Sequence, residues 1–267
     1  MITFASLHHA GTPLLLPNAW DHASAVALAE QGFPAIGTTS LGVAATAGLA
    51  DGTAATRDET LLLAHRLGNG PYLLSVDAEA GFSNDPEEVG ELARDLAAAG
   101  AAGINLEDGR DDGTLTPTAV HAAKIAAVKA AAPDLFVNAR TDTYWLGGRE
   151  AETSRRLDTY RQAGADGVFV PGLSDLAAIA ALVKRLDIPL NILYSLSGPT
   201  LAQLGEVGVA RVSLGSLLFR VALGAAVDTA VDIQAGRPVT GRAPTYAEVQ
   251  GLSPAKSKSR HGSVGAR

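Results

Sequence analysis

Three carboxylates and one arginine stand where short apolar runs turn polar. Asp77 and Glu79 close the run Tyr72-Leu73-Leu74-Ser75-Val76-Asp77-Ala78-Glu79, Glu107 closes Gly103-Ile104-Asn105-Leu106-Glu107, and Arg140 follows Leu135-Phe136-Val137-Asn138-Ala139. Two residues apart on an extended chain, Asp77 and Glu79 are expected to point to the same side. Acids crowded together repel unless a cation or protons intervene. Oxygen ligands without His or Cys suit Mg²⁺, or Mn²⁺, better than zinc. A single such acid reads equally well as one half of a structural ion pair with Arg140. Three acids on adjacent strands beside one arginine favour a functional site.

The elements that must position these groups repeat along the chain. Apolar β-type runs at 14–16, 35–38, 72–77, 103–106, 135–138, 167–170, 190–193 and 211–214 alternate with stretches that carry apolar residues three and four apart. The helical stretches run over 21–31, 56–67, 86–99, 117–132, 149–163, 174–186, 199–207 and 215–234. Asp85-Pro86 opens one of them and Gly100 closes it, Thr116-Pro117 opens the next, and Gly164 and Gly208 follow two others. Eight parallel βα units predict a single-domain α/β protein, a (β/α)8 TIM-type barrel spanning 1–251. An open doubly wound sheet would more often show a glycine-rich phosphate turn after its first strand; here Pro17-Asn18-Ala19-Trp20-Asp21 follows, and neither GxGxxG nor GxxxxGK[ST] occurs.

Barrel enzymes build their sites at the C-terminal ends of the strands. Besides the acids and Arg140, those ends offer Thr38-Thr39-Ser40 with Asp51 in the loop behind, Asn191 on the seventh strand, and Gly215-Ser216 after the eighth. Asn191 reads either as a group in the mouth or as a buried barrel amide. Gly215-Ser216 resembles the turn with which many barrels bind phosphate, so a phosphosugar-type enzyme is a rival reading. His22 beside Asp21 reads as a packed or capping residue rather than an acid-base group, and Tyr144-Trp145 as a pocket wall or a packing pair.

Composition narrows the function further. Four of the 21 basic residues and none of the 28 acids lie after residue 251, which leaves residues 1–251 at 17 bases to 28 acids, a net of −11. A body this acidic is a poor partner for nucleic acid. The basic stretch 252–267 reads as a disordered tail. No apolar run approaches the ~18 residues of a membrane span, and no export signal opens the chain, so a cytoplasmic protein is expected. The absence of cysteine excludes thiol nucleophiles, disulfides and thiolate metal sites.

Taken in order, Asn18-Ala19-Trp20-Asp21-His22, Thr39-Ser40-Leu41 with Asp51, Asp77-Ala78-Glu79-Ala80-Gly81-Phe82, Gly103-Ile104-Asn105-Leu106-Glu107-Asp108 and Asn138-Ala139-Arg140-Thr141-Asp142 resemble the isocitrate lyase/phosphoenolpyruvate mutase superfamily. The likeness covers nearly the whole barrel. It implies a Mg²⁺-dependent enzyme that makes or breaks a C–C or P–C bond beside a 2-oxo acid through an enolate-like intermediate. By resemblance Asp77 is the direct metal ligand, and Glu79 and Glu107 hold the metal through water. Thr39 and Ser40 bind the substrate carboxylate, Asp51 is an active-site acid, and Arg140 contacts substrate oxygens. The resemblance also implies a homo-oligomer, a tetramer or dimer in which the 215–234 helix is exchanged; a plain barrel helix is the other reading.

The chain departs from the family pattern in telling places. Glu79 and Gly81-Phe82 stand where an aspartate and Gly-Tyr are usual, and Pro171-Gly172 where relatives place a Glu or His. The loop after strand four is only Gly109-Arg110-Asp111-Asp112-Gly113-Thr114-Leu115, without the cysteine that serves as acid in isocitrate and methylisocitrate lyases. Lyase chemistry on a small 2-oxo or 2-hydroxy acid is therefore expected ahead of phosphonate mutation, with a catalytically silent oxo-acid binder as a further alternative.

Overall fold

Pro17 has no N–H to give to a ladder, and the first expected strand, 14–16, ends before it. In the computed structural model, which describes residues 2–253, β1 (Leu14–Leu16) pairs with the last strand and β2 (Asn18–Ala19) with β3 (Ala35–Thr38). The remaining strands are β4 (Leu73–Asp77), β5 (Ala101–Glu107), β6 (Phe136–Arg140), β7 (Gly167–Phe169), β8 (Leu190–Leu193) and β9 (Arg211–Ser213). Every pairing is parallel and the order is β1-β9-β8-β7-β6-β5-β4-β3-β2. The eight expected strands are present, and the two-residue β2, which was not expected, makes nine segments. Because β1 and β2 are consecutive halves of one run, the sheet comes round into the expected TIM-type barrel.

The expected helices lie where their caps put them. Asp21 accepts from the Ser24 N–H at the start of α2 (His22–Glu30). Asp85 does the same for Glu87 ahead of Pro86 at the start of α5 (Pro86–Ala98). The outer ring continues with α4 (Arg57–Leu67), α6 (Thr118–Ala131), α7 (Thr153–Gln162), α8 (Leu176–Arg185), α9 (Leu201–Glu206) and α10 (Leu217–Gln234). Three short helices were not expected: α1 (Phe4–Leu7), α3 (Ser40–Ala47) and α11 (Tyr246–Gly251). The basic tail expected over 252–267 lies outside the described residues apart from its first two.

Strand alternation divides the core. Val76, Ile104, Leu106, Val137 and Ala139 pack outward against α4, α5 and α6, while Val168, Ile192 and Val212 pack against α7, α8 and α9. The N-terminal end of the barrel is closed by α1: Phe4 meets the Phe136 ring edge-on at 5.4 Å, and His8 stacks on Phe136 at 4.4 Å. A Cβ at Gly103 would stand 2.8 Å from the Phe4 ring, so this strand position accepts no side chain. In contrast to the ring, α10 has no buried residue and exposes Val221, Leu223, Val227, Val231 and Ile233.

Candidate active site

Parallel register stacks the polar residues into layers. Asp77 lies opposite Asn105, and Asn105 opposite Asn138; one layer higher, Glu107 lies opposite Arg140, and Arg140 opposite Phe169. The alternation that sends Ile104 and Leu106 outward turns Asn105, Glu107, Asn138 and Arg140 into the barrel. At its C-terminal mouth these residues open into a cavity of about 310 Å³. Thr39, Ser40, Asp51, Asp77, Glu107 and Arg140 all line it. Asn18, Asn105, Asp142, Trp145, Phe169 and Ser213 complete much of its wall.

The Ser40 N–H, at the first turn of α3, donates to Asp77 Oδ2 at 3.2 Å, and Thr38 Oγ1 accepts from the Asp77 N–H at 2.8 Å. Asp77 Oδ1 is buried without a hydrogen-bond partner. Burial pushes the Asp77 carboxyl above the usual carboxylate range, while Arg140 and the Ser40 N–H oppose that rise. Arg140 ion-pairs with Glu107 and holds Asp142 with two hydrogen bonds, and its guanidinium lies 5.7 Å from the Phe169 ring centre. Burial raises Glu107 well above its ordinary value; Arg140 works against that, and Asp142, Asp77 and Glu79 add to it. Clustered acids hold the Arg140 proton more firmly than usual despite its burial.

Other expected site residues lie elsewhere. The strand alternation that would align Glu79 with Asp77 ends at Asp77. Glu79 takes a left-handed conformation (φ 47°) and leaves the first cavity for a second one of about 290 Å³, where Thr56 donates to its carboxylate. The two cavities share Gly52, Gly109, Arg110 and Asp111. Lys124 reaches from α6 to the Ala80 carbonyl at 2.9 Å and ties down the same turn. Asn191, expected among the substrate-binding residues, is buried, and its Nδ2 donates to Ser213 Oγ at 3.0 Å. Gly215 and Ser216 do line the cavity, but the N–H groups of Leu214 and Gly215 both donate to Asn18 Oδ1, at 3.1 and 2.9 Å. Two donors of the supposed phosphate turn are therefore spent. His22 contacts the Leu252 carbonyl, Tyr144 packs into the core, and Trp145 forms part of the cavity wall.

The short loop after β5 folds back on itself. Gly109 bridges Leu115, the Arg110 N–H donates to Thr114 O, and Arg110 and Asp111 face the cavity. Asp108 turns away from the mouth into a buried knot, accepting from Thr141, Tyr160, Arg156 and the Asp142 N–H.

The donor set fits a hard cation in one way. Among the described residues no three acid or imidazole groups converge as a complete set of direct ligands. Asp77 Oδ1 nevertheless offers one buried, unspent carboxylate oxygen at the cavity, with Glu107 on the adjacent strand. This is the donor chemistry of an ion that keeps most of its waters, as Mg²⁺ does.

Reading the sequence did not single out Asn18, Asn105, Asp142 or Phe169 as site residues. Register was the available signal for three of them. Asn105 lies two residues before Glu107, Asp142 two after Arg140, and Phe169 faces Arg140 across β6 and β7. Asn18 gave none, because its role depends on contacts with the turn after β9, almost 200 residues away.

The profile of the family described as phosphoenolpyruvate phosphomutase matches residues 4–234. An uncharacterized protein of Mycobacterium tuberculosis is 44% identical over 251 residues, 93% of this chain and 95% of that protein. The 2-methylisocitrate lyase of Bacillus subtilis is 33% identical over 196 residues, covering 70% of this chain and 64% of the lyase. Among solved structures, an oxaloacetate acetylhydrolase in complex with its product oxalate has the same fold, with a TM-score of 0.84 at 23% identity over 94% of this chain and 92% of that one.

Proposed function

Because this chain belongs to the phosphoenolpyruvate phosphomutase family, within the isocitrate lyase/phosphoenolpyruvate mutase superfamily, we propose that it is a lyase that cleaves a C–C bond of a small 2-oxo or 2-hydroxy acid through an enolate-like intermediate. The observation that supports this most is the unspent Asp77 Oδ1 in a cavity that also holds Arg140. Asp77 would hold Mg²⁺ or Mn²⁺ directly, with Glu107 and, from the neighbouring cavity, Glu79 acting through water. The cation when bound supplies Lewis-acid stabilisation of an enolate.

The residues of the chain do the rest. Thr39 and Ser40, at the first turn of α3, bind the substrate carboxylate. Arg140, its fork held by Asp142, keeps its remaining Nη N–H groups for the side of the substrate where charge develops, and a donor already oriented by Glu107 and Asp142 needs no reorganisation during the reaction. Asp51, facing the same cavity, is the carboxylate that would take a proton from a 2-hydroxyl group. With the family's cysteine loop absent, Arg110 and Asp111 are the loop groups left at the mouth.

The protein works as a cytoplasmic homo-oligomer in this reading. Among the described residues no helix is long and apolar enough to cross a membrane. The apolar length of α10 is left without a partner in its own chain, and a second copy that receives it would bury that surface. The test of the activity is a substrate panel of oxaloacetate, methylisocitrate, a dimethylmalate and phosphonopyruvate, assayed with Mg²⁺ for pyruvate or glyoxylate. Turnover of one of the first three supports the lyase reading. Isomerisation of phosphonopyruvate alone, read as phosphoenolpyruvate, would make the protein a mutase.

A further inference from the structure

Arg211 stands on β9, fully buried, on the far side of the barrel from β5. Its hydrogen bonds go to neutral groups: Nε donates to Ser213 Oγ at 3.0 Å and Nη2 to Asn105 Oδ1 at 3.1 Å, and Nη1 has no partner. Burial pulls its pKa down to about 9, with Asp77 opposing. A buried guanidinium without a bonded carboxylate costs several kcal/mol that an apolar side chain of like size would not. What it holds in place is therefore informative.

A guanidinium donates and cannot accept, so the Asn105 atom facing it has to be the carbonyl oxygen. Asn138 Nδ2 donates to the same oxygen at 2.8 Å. With Oδ1 held from two sides, the carboxamide has one orientation, and its NH₂ is the polar group left over. Asn105 lines the cavity, lies opposite Asp77 in the sheet register, and its Nδ2 makes no hydrogen bond among the described residues. Ser213 Oγ, which also exchanges hydrogen bonds with Asn191, fixes the guanidinium from its other edge.

We infer that Asn105 is a substrate-binding residue that donates from its carboxamide NH₂ to an oxygen of the bound acid, and that Arg211 is the positioning residue that sets this orientation. The inference rests on the reading of the cavity as an oxo-acid site. It adds a selection rule: the floor beside Asp77 favours substrates with a carboxylate or enolate oxygen there over those with an alkyl group.

Oxalate with Mg²⁺ is a suitable probe, being a planar dianion with the outline of an enolised 2-oxo acid. Its affinity is measured by calorimetry for wild type, Arg211→Met, Arg211→Lys and the double variant Asn105→Leu/Arg211→Met. The double variant replaces Arg211 and Asn105 with apolar groups but leaves Asn138 Nδ2 without its acceptor, so it should melt several degrees below wild type and still fold. It should nevertheless bind oxalate about 10- to 100-fold more weakly, the range for losing one hydrogen bond to a charged group. Arg211→Met alone frees the amide to rotate and should weaken binding about fivefold, whereas Arg211→Lys, still a donor-only cation, should stay close to wild type. Binding by the folded double variant within twofold of wild type would overturn the inference while leaving the oxo-acid reading intact. If the double variant does not fold, the two single variants decide, and equal affinities for Met and Lys at 211 overturn the positioning role. A wild-type protein that neither binds oxalate nor turns over any oxo acid would remove the underlying reading itself.

Discussion

Arg140 grips Asp142 with a fork, Nε to Oδ1 at 2.7 Å and Nη2 to Oδ2 at 3.1 Å, and so turns its remaining Nη1 toward Glu107. The pair lies two residues apart at the end of β6. Asp142 is itself held by Asp108, which accepts from its N–H at 2.9 Å. An arginine fixed in this way can hold two carboxylates and still keep Nη N–H groups for a substrate oxygen, which a lysine cannot do in the same geometry.

Arg140→Lys should therefore lower kcat about 100-fold or more while the protein stays folded, because a point charge on a flexible stem cannot reproduce the fork. Asp142→Asn should give a smaller fall of about tenfold, since the amide keeps one acceptor for Arg140. Steady-state kinetics on the substrate found in the panel measure both. A kcat for Arg140→Lys within threefold of wild type would contradict the role given to this side chain.

Asp108 should behave differently although it is the neighbour of Glu107 in sequence. Its carboxylate is fully buried and serves Thr141, Tyr160, Arg156 and the Asp142 N–H. Asp108→Ala would leave Arg156 and Tyr160 without their anion and should cost about 3–5 kcal/mol in urea unfolding. A loss under 1 kcal/mol would show that the knot is not structural.

His121 gives the protein an acid sensitivity with a defined sign. Both ring nitrogens are buried without hydrogen-bond partners, and burial, helped by Lys124 and Arg156, pulls its pKa to about 3 from 6.5. The folded state binds this proton less readily than the unfolded chain, so the contribution is intact above pH 6.5 and is lost as pH falls toward 3. His8, lowered to about 4, acts in the same direction. The buried carboxylates Asp77, Glu79, Glu107 and Asp142 are raised and act the opposite way: they favour folding at acid pH and oppose it as pH rises through their folded values. Comparing His121→Leu with wild type isolates the histidine. The difference in unfolding free energy should move in favour of Leu by about 2 kcal/mol between pH 7 and pH 5. Parallel stability curves over that range would contradict a neutral, buried imidazole.

The apolar face of α10 carries the prediction for assembly. Leu223 and Val227 are 55% and 54% exposed and one helical turn apart. Leu223→Glu/Val227→Glu should convert the oligomer to monomer in light scattering, with far-UV circular dichroism nearly unchanged. An unchanged oligomer would place the interface elsewhere, and a monomeric wild type would remove the assembly proposal.

Much of this architecture was legible in the sequence because the signals were local. Asp85-Pro86 and Gly100 bracket a helix expected over 86–99 and found at Pro86–Ala98. The alternation around Glu107 and Arg140 brought both to one mouth. The rest depended on what no short window carries. The two-residue β2 shows only once Asn18 and Ala19 find β3 as their neighbour. Glu79 left the expected line because its backbone is left-handed, a conformation unusual for a non-glycine residue. Asn191 looked like a mouth residue by its place near a strand end, yet its amide is buried against Ser213. The contact between Arg211 and Asn105 spans 106 residues of sequence and crosses the barrel.

The central claim, metal-assisted enolate chemistry at Asp77, is tested most directly by the Mg²⁺ dependence of product formation in wild type and Asp77→Asn. The account predicts that wild-type turnover requires the divalent ion and stops with chelator, and that Asp77→Asn, folded and of equal melting temperature or higher, loses about 10²–10³-fold in kcat. Product formed at the same rate with chelator, or by Asp77→Asn at the wild-type rate, would contradict it.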